Sequence, residues 1–184
     1  MKLRTGWVFA LMVCLMLFSV GFGAYRGWSQ ERARVEESYA GLESMLQTRV
    51  ESACNVLAVA KRHVNGDEEG QRLLRLVEQT RDVLEGGAPL SEKADANARL
   101  TACVGDLLRH LSTLDSVQAD SRDKMYVESY LPQMMEQSEE KTAGANYNAA
   151  AREFNQKLNG TFSGWLARLM GIQPAEEFAA GKEG

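Results

Sequence analysis

Proline, cysteine and histidine are scarce in this sequence, and long apolar runs are limited to one. The chain of 184 residues contains three prolines, three cysteines and two histidines. With so little proline, and with Ala, Leu, Glu, Gln and Arg dominating the part after residue 28, the composition is that of a helical protein. No alternating apolar and polar run predicts a strand. The small acidic excess, 25 Asp and Glu against 21 Lys and Arg, argues against a nucleic-acid-binding surface, which would be basic.

The two histidines, His63 and His110, do not complete a catalytic or metal-binding pattern. A di-iron bundle needs a glutamate three residues before each histidine, and those positions hold Ala60 and Leu107. Cys103 shares a helical face with His110, yet the two are ~10.5 Å apart along the axis, too far to hold one metal. Motifs for haem attachment, phosphate binding and a nucleophile elbow are missing. We therefore expect no enzyme activity, no cofactor and no metal.

Cys54 and Cys103 both lie on segments with an apolar pattern. We expect them to be buried thiols, although an oxidising compartment would allow them to form a disulfide. Cys14 lies within the long apolar run and is expected to face lipid as a small hydrophobe.

The one long apolar run, Gly6–Tyr25, has 20 residues and no charge. A helix of this length covers ~30 Å, the thickness of the hydrocarbon core of a bilayer. Trp7 at one end, with Tyr25 and Trp28 at the other, suits the two membrane interfaces. We therefore predict a single-pass membrane anchor at residues 1–28 that contacts lipid through residues 6–25. A cleaved signal peptide is the alternative, although its apolar core is usually only ~7–15 residues long.

The orientation of this anchor depends on the basic residues at its two ends. Lys2 and Arg4 precede the run, and Arg26, Arg32 and Arg34 follow it, so the counts are equal once the terminal amine is included. We expect the N-terminus to be inside and the rest of the chain to be on the non-cytoplasmic side of the membrane.

Beyond the anchor, apolar residues recur every three or four positions in four stretches, the pattern of amphipathic helices. The first stretch ends at the helix-terminating pair Asn65-Gly66, and the anchor is expected to continue into it as one long helix. Its stripe consists of Leu42, Leu46, Val50, Ala53, Leu57, Ala60 and Val64.

The second and third stretches are separated by two glycines and a proline. Asp67 is predicted to be the N-cap of the second helix, whose stripe includes either Leu76 or Val77. Pro89 opens the third helix. The stripe of the third helix consists of Leu100, Val104, Leu107, Leu111 and Leu114. The polar residues 118–123 are interpreted as a connection.

The fourth stretch contains a conflict that predicts an interruption. Its earlier apolar residues and its later stripe are both expected to face the core. The earlier residues are Tyr130, Leu131 and Met134, and the later stripe consists of Tyr147, Ala151, Phe154 and Leu158. On one straight helix, Met134 and Phe154 would point ~200° apart. We therefore predict a break or kink within Leu131–Gly144. Pro132 is the favoured site because it lacks the N–H of a helical hydrogen bond.

The last apolar cluster predicts a short helix that covers the end of the bundle. Its contacts would be Phe162, Trp165, Leu166 and Leu169. The complete pattern predicts an all-α protein: an N-terminal transmembrane helix, an elongated antiparallel four-helix bundle at residues 29–172 that includes a short C-terminal capping helix, and a tail at residues 173–184.

Three segments of the chain, including the closing residues 162–171, resemble the LemA family of membrane-anchored bacterial helical proteins. Residues 46–64 are similar to the first soluble helix of that family, and residues 147–158 resemble its Tyr-Asn helix. The matching positions are Leu46, Arg49, Asn55, Tyr147, Asn148 and Asn155. Residues 118–146 depart from the family pattern, so the chain is similar to a divergent member. The resemblance implies a four-helix bundle on one membrane helix and no established activity.

We interpret the six matching positions as structural. Arg49 is expected to pair with a carboxylate or a carbonyl inside the bundle. Asn148 and Asn155 are expected to fix the register of the helices by hydrogen bonds, with a ligand or partner contact as the alternative.

The sequence thus favours a non-enzymatic interaction or scaffold protein of the cell envelope. It would be tethered by its anchor and would act on an envelope protein through the surface of the bundle. The alternative is a sensory or ligand-binding helical domain that works with a separate output partner.

Overall fold

A computed structural model describes residues 2–143 and 145–179, and their side chains except those of residues 2–6, 17 and 18. Throughout these residues the regular structure is helical, which confirms the all-α prediction. The α-helices are α1 (Lys2–His63), α2 (Glu68–Glu85), α3 (Leu90–Leu111), α4 (Asp115–Ala119), α5 (Ser121–Met125), α6 (Leu131–Ala143), α7 (Tyr147–Gly160) and α8 (Phe162–Leu169). A π-helical segment, Tyr126–Tyr130, joins α5 to α6.

Helix α1 continues without interruption from the apolar run to His63, as the sequence predicts. Within the described residues it is the one helix that is long and apolar enough to cross a membrane. The chain turns after it at Gly66, whose φ of 84° lies in the left-handed region that favours glycine. All seven residues of the predicted first stripe are buried, at 3% exposure or less.

The chain divides into two compact units. The first unit comprises Met1–Ser38 and Asn148–Glu176, and the second comprises Tyr39–Tyr147 and Glu177–Gly184. The boundary between anchor and bundle after residue 28, and that between bundle and tail after residue 172, stay predictions. The end of the predicted tail, from residue 180, lies outside the described residues.

The core of the second unit is built on α3, which packs against α2, α6 and the π-helical segment. Leu107 and Leu111 are fully buried, as predicted. On α2 the core position is taken by Val77, which is fully buried, and Leu76 is 42% exposed. Leu114 lies beyond the end of α3 and is only half-buried.

The polar connection predicted at residues 118–123 is wrong in part, because helices occupy most of it. Helix α4 extends to Ala119 and α5 begins at Ser121. Between them Asp120 is the N-cap of α5, and its carboxylate accepts hydrogen bonds from the backbone N–H groups of Arg122 and Asp123. Asp120, which the sequence pattern assigns to a loop, therefore caps a helix.

The fourth stretch is interrupted after Ala143, at the far end of the predicted interval, and the favoured site, Pro132, is wrong. The helix containing Pro132 continues to Ala143, and α7 begins at Tyr147. Gly144 lies outside the described residues. The distortion near Pro132 is the π-helical segment before it, in which the N–H of Leu131 bonds to the carbonyl of Tyr126, five residues back.

The π-helical segment also corrects the burial predicted for this stretch. Leu131 is buried, but Tyr130 is 55% exposed and Met134 is only half-buried. Met135, at 6% exposure, takes the core position instead. A π turn contains more residues than an α turn, so it changes which residues face the core.

Of the four contact residues predicted for α8, Leu166 is half-buried and the other three are exposed. Phe162, Trp165 and Leu169 are 74%, 54% and 67% exposed, and Gly164 and Ala167 are buried instead. A methyl group added at Gly164 would overlap the backbone of Leu158. Because glycine has no side chain, the two backbones can approach closely and the aromatic residues are left on the outside.

The cysteines are free thiols. Cys103 is buried, and this burial raises the pKa of its thiol. Cys54 is half-buried, with its Sγ 3.6 Å from Nη1 of Arg81. Cys14 is exposed on the apolar part of α1.

Candidate functional site

The second unit carries a groove of about 500 Å³ between α1 and the stretch from α5 to α6. Its α1 wall consists of Asn55, Ala58, Val59 and Arg62. Its opposite wall consists of Arg122, Tyr126, Tyr130, Leu131, Gln133, Met134 and Gln137. We refer to this set as the groove.

The π-helical segment forms the aromatic part of the groove. The rings of Tyr126 and Tyr130 lie 5.6 Å apart, and the guanidinium of Arg122 lies 5.8 Å from the Tyr126 ring in a cation–π contact. π-Helical turns occur frequently at functional sites, because the longer turn exposes side chains that an α-helix would place elsewhere. The sequence gives no local signal for this turn apart from the nearby Pro132.

Asn55 is the predicted site residue that lines the groove. Its side chain is exposed, and its amide nitrogen lies 3.7 Å from Sδ of Met134 on the opposite wall. An exposed amide can donate and accept further hydrogen bonds within the groove.

One end of the groove is held by a buried aspartate. Asp123 is 5% exposed; its Oδ1 lies 2.7 Å from Nη2 of Arg62 and its Oδ2 lies 2.8 Å from Nε2 of His63. The hydrogen bond from His63, followed by the charge and hydrogen bond of Arg62, lowers the pKa of Asp123. The cluster fixes the last turn of α1 against α5.

His63 also contacts Ser116, which completes a Ser–His–Asp set that sequence analysis missed. The Ser116 hydroxyl lies 3.1 Å from Nδ1 of His63. With Nε2–H donating to Asp123, Nδ1 can accept the serine proton. No spacing signal marks this set, because its members come from α1, α4 and α5. The set joins α1, α4 and α5; Ser116 is not among the residues that line the groove, and the aspartate is shared with Arg62.

The second histidine has an aspartate partner as well. His110, near the end of α3, hydrogen-bonds through Nε2 to Asp67 at the start of α2. This hydrogen bond is the main cause that lowers the pKa of Asp67. Asp67 is at the N-cap position, as predicted; the backbone N–H groups of Gly70 and Glu69 also lower the pKa of its carboxylate, although it accepts no capping hydrogen bond of regular geometry. Its carboxylate instead links the two helices.

Arg49 is fully buried on α1 and faces α3. Its Nη2 donates to the carbonyl of Asn97 at 3.2 Å and to the hydroxyl of Thr101 at 2.8 Å, and that hydroxyl lies 3.0 Å from Glu139. Burial lowers the pKa of Arg49, and the charge of Glu139 opposes this effect. Within the part of the chain that the structure describes, Nε and Nη1 have no hydrogen-bond partner. Leu46, one turn earlier, is buried in the same core.

The remaining predicted positions lie on α7. Tyr147 is buried and packs edge-on against Tyr39, with ring centroids 5.7 Å apart. Asn148 is half-buried. The side-chain amide of Asn155 both donates to and accepts from the backbone of Ala175, each at 2.8 Å. Asn155 therefore holds the segment that follows α8 and not a neighbouring helix, which differs from the expected role.

The groove does not bring the six predicted positions together. Asn55 lines it, Leu46 and Arg49 lie in the core, and the other three lie on α7. In the described residues, His, Cys, Asp and Glu side chains form no group of three that could hold a metal ion.

Comparison with known proteins agrees with the sequence resemblance. The LemA family model matches residues 38–184, a range that includes all six of these positions and the groove. A search of the curated proteins finds no match to the chain.

Proposed function

Because the chain belongs to the LemA family, we propose that it is a non-enzymatic interaction module tethered to a bacterial membrane by the N-terminal part of α1. The groove would bind a protein partner in the cell envelope. The observation that carries this proposal is an open groove lined by tyrosine, methionine, arginine and amide side chains.

The exposed side chains of α1 support the membrane tether. Phe9 is 71% exposed and Phe22 is 61% exposed, and the most apolar stretch of this helix has a mean hydropathy of 2.2 with none of it buried. A continuous apolar surface of this length would be unfavourable in water and favourable in the hydrocarbon core of a bilayer.

The openness of the groove favours a protein partner over a small molecule. Asn55, Arg122 and Tyr130 are all exposed. Pockets for small molecules usually bury most of the ligand, ~70–90% of its surface, which such an open groove cannot do. Tyrosine, methionine and arginine are also the residue types enriched at the centres of protein interfaces.

The lining of the groove indicates what the partner must present. Tyr126, Tyr130 and Met134 form an apolar wall that can accept an aliphatic or aromatic side chain. Arg122 and Gln133 can bond to a carboxylate or to backbone groups beside it. The matching segment would therefore carry an apolar anchor next to an acidic residue.

A photo-crosslinking amino acid at Ala58 tests this proposal. Ala58 is exposed within the groove, and Ala98, exposed on α3, is a matched control position. In cells, the full chain labelled at Ala58 should crosslink to a defined protein, and the chain labelled at Ala98 should not. Arg122→Glu should remove that crosslink. Equal crosslinking from both positions, or a crosslink unaffected by Arg122→Glu, would contradict a partner in the groove.

The alternative function, a ligand-binding sensor domain with a separate output partner, is favoured by one observation. The groove volume of about 500 Å³ is within the range of small-molecule sites, ~300–1,000 Å³. Native mass spectrometry of the purified full chain distinguishes the two functions. A bound small molecule that is lost in Tyr130→Ala would favour the sensor.

A further inference from the structure

Helix α8 leaves an apolar stripe uncovered in the first unit. Phe162, Trp165 and Leu169 are spaced by three and four residues, so they lie on one side of the helix, and each is more than half exposed. The rings of Phe162 and Trp165 are stacked, with centroids 5.7 Å apart. Met170, just beyond the helix, is 39% exposed. A soluble protein rarely leaves such a patch in contact with water.

The stripe is held rigidly, because the opposite side of α8 and both of its ends are attached. Thr161 caps the helix by accepting a hydrogen bond from the N–H of Gly164 at 3.0 Å. Arg168 donates to the side chain of Asn159 at 3.1 Å. After the helix, Gly171 has a φ of 93°, and the chain returns to the Asn155 amide. The exposed face is therefore presented by a fixed helix.

The position of α8 along α1 identifies what covers this face. Tyr147, at the start of α7, packs on Tyr39, whereas Phe154 packs on Trp28, with ring centroids 5.9 Å apart. Helix α7 is therefore antiparallel to α1 and leads towards the apolar run. Trp28 lies three residues, ~4.5 Å, beyond Tyr25, the last residue of that run.

Helix α7 continues for six residues beyond Phe154, to Gly160, which is ~9 Å further towards the apolar run. Helix α8 consequently begins level with the last apolar turn of α1. That level is the membrane interface if α1 is the anchor. Tryptophan and phenylalanine on one side of a short helix are the residues with which interfacial helices enter the headgroup region.

We propose that α8 lies in the interface of the same membrane that α1 enters, with Phe162, Trp165 and Leu169 in contact with lipid. The protein thus has a second membrane contact, which fixes the tilt of the first unit on the bilayer. The chemistry recognised is a lipid surface, through apolar and aromatic contacts. This inference rests on the proposed membrane tether and is independent of the groove and its partner.

The fluorescence of Trp165 in the full chain, reconstituted in phosphatidylcholine vesicles, tests the inference. Its contribution is the difference between the wild-type protein and Trp165→Phe, which keeps an aromatic ring in the stripe. We expect this difference emission to be blue-shifted, quenched by phosphatidylcholine brominated near the headgroup, and protected from aqueous acrylamide. Ser at both Phe162 and Leu169 should reduce the bromolipid quenching by about half or more. Leu76→Ser, at an exposed apolar residue of α2, is the matched control and should leave it unchanged.

Each other outcome identifies a different failure. If the protein floats with the vesicles but acrylamide quenches Trp165 and bromolipid does not, the tether holds and the inference about α8 is wrong. If Trp165 is shielded from both quenchers, protein covers the stripe, and the inference is wrong as well. If the protein does not float with the vesicles, the proposed tether fails, and the inference fails with it.

Discussion

At the residue scale, the buried charged groups of the second unit differ in how well they are paired. Asp123 has a cationic or hydrogen-bonding partner for each carboxylate oxygen, from Arg62 and His63. Arg49 has partners for Nη2 only, among the described residues. A buried charge that is incompletely paired contributes little to stability, whereas a buried side chain of its size fills a large volume. Substitutions at these two residues should therefore behave differently.

The first prediction concerns Arg49. Arg49→Met keeps most of the side-chain volume and removes the incompletely paired charge, so the free energy of unfolding should change by less than about 1 kcal/mol or increase. Arg49→Ala leaves a cavity and should cost about 2–5 kcal/mol. Urea unfolding measures both. A loss in Arg49→Met as large as that in Arg49→Ala would show that the hydrogen bonds to Asn97 and Thr101 matter more than the packing.

The second prediction concerns the acid stability of Asp123. Its pKa is lowered in the folded protein, so it contributes stability above its ordinary pKa of about 3.9, and this stability is lost as the pH falls through the lowered value. Asp123→Asn should cost about 1–3 kcal/mol at neutral pH. It should also flatten the decrease in unfolding free energy below about pH 4.

Urea unfolding between neutral and acidic pH measures this dependence. Asp115→Asn, at an exposed aspartate on α4, is the control and should leave the acid dependence as it is in the wild type. An unchanged slope in Asp123→Asn would mean that the pair with His63 does not stabilise the fold.

Residue types alone did not reveal these pairs. His63 and Asp123 are 60 positions apart, and His110 and Asp67 are 43 apart. The packing of α1 against α5, and of α2 against α3, decides which carboxylate meets which imidazole. The core position of Leu46 followed from its helical spacing, because periodicity reports which face is buried.

At the element scale, the spacing of apolar residues predicts which side of a helix is buried only where the number of residues per turn is known. Four successive buried residues from α5 to α6 are spaced by four, namely Asp123, Val127, Leu131 and Met135. On a regular α-helix this spacing would drift by ~120° around the axis. The π-helical segment has more residues per turn and keeps the four on one face. A period of 3.6 residues per turn therefore does not indicate which of Tyr130, Met134 and Met135 faces the core.

The third prediction compares two glycines within helices. A methyl group at Gly70 on α2 would overlap the Asp67 carboxylate and Val64, whereas Gly41 on α1 has open space around it. Gly70→Ala should therefore destabilise the protein by about 1–3 kcal/mol and disturb the contact between Asp67 and His110. Gly41→Ala should stabilise it by up to about 1 kcal/mol, because alanine has the higher helix propensity. Thermal unfolding checks both, and a loss in Gly41→Ala would contradict the open space around it.

At the scale of the whole molecule, the division into units follows contacts that a linear pattern does not show. Helix α1 belongs to both units, and their boundary lies after Ser38 within it. Trp28 illustrates the difficulty. Its place beside an apolar run marks it as an interfacial residue, yet it is 8% exposed and packs against Phe154. Trp28 is buried because it packs against Phe154, which is more than a hundred positions away in the sequence. No local pattern around Trp28 indicates this contact.

The fourth prediction follows from the packing of Trp28. A chain that begins at Gly27 lacks the apolar run but keeps this side chain, whereas one that begins at Ser29 loses it. The shorter chain should be less stable by about 3 kcal/mol, because Phe154 would lose its aromatic partner. Circular dichroism melting curves compare the two, and Trp28→Ala in the longer chain should reproduce the loss. Equal melting temperatures would contradict a structural role for Trp28.

The π-helical segment has one further consequence, which concerns the composition of the groove wall. A π turn can arise by inserting one residue into an α-helix, and its removal restores α-helical hydrogen bonding with the flanking helices in place. The aromatic wall formed by Tyr126 and Tyr130 would change with that single residue, while α5 and α6 kept their buried faces. A difference of one residue in chain length would thus change which side chains the groove presents and leave the core as it is.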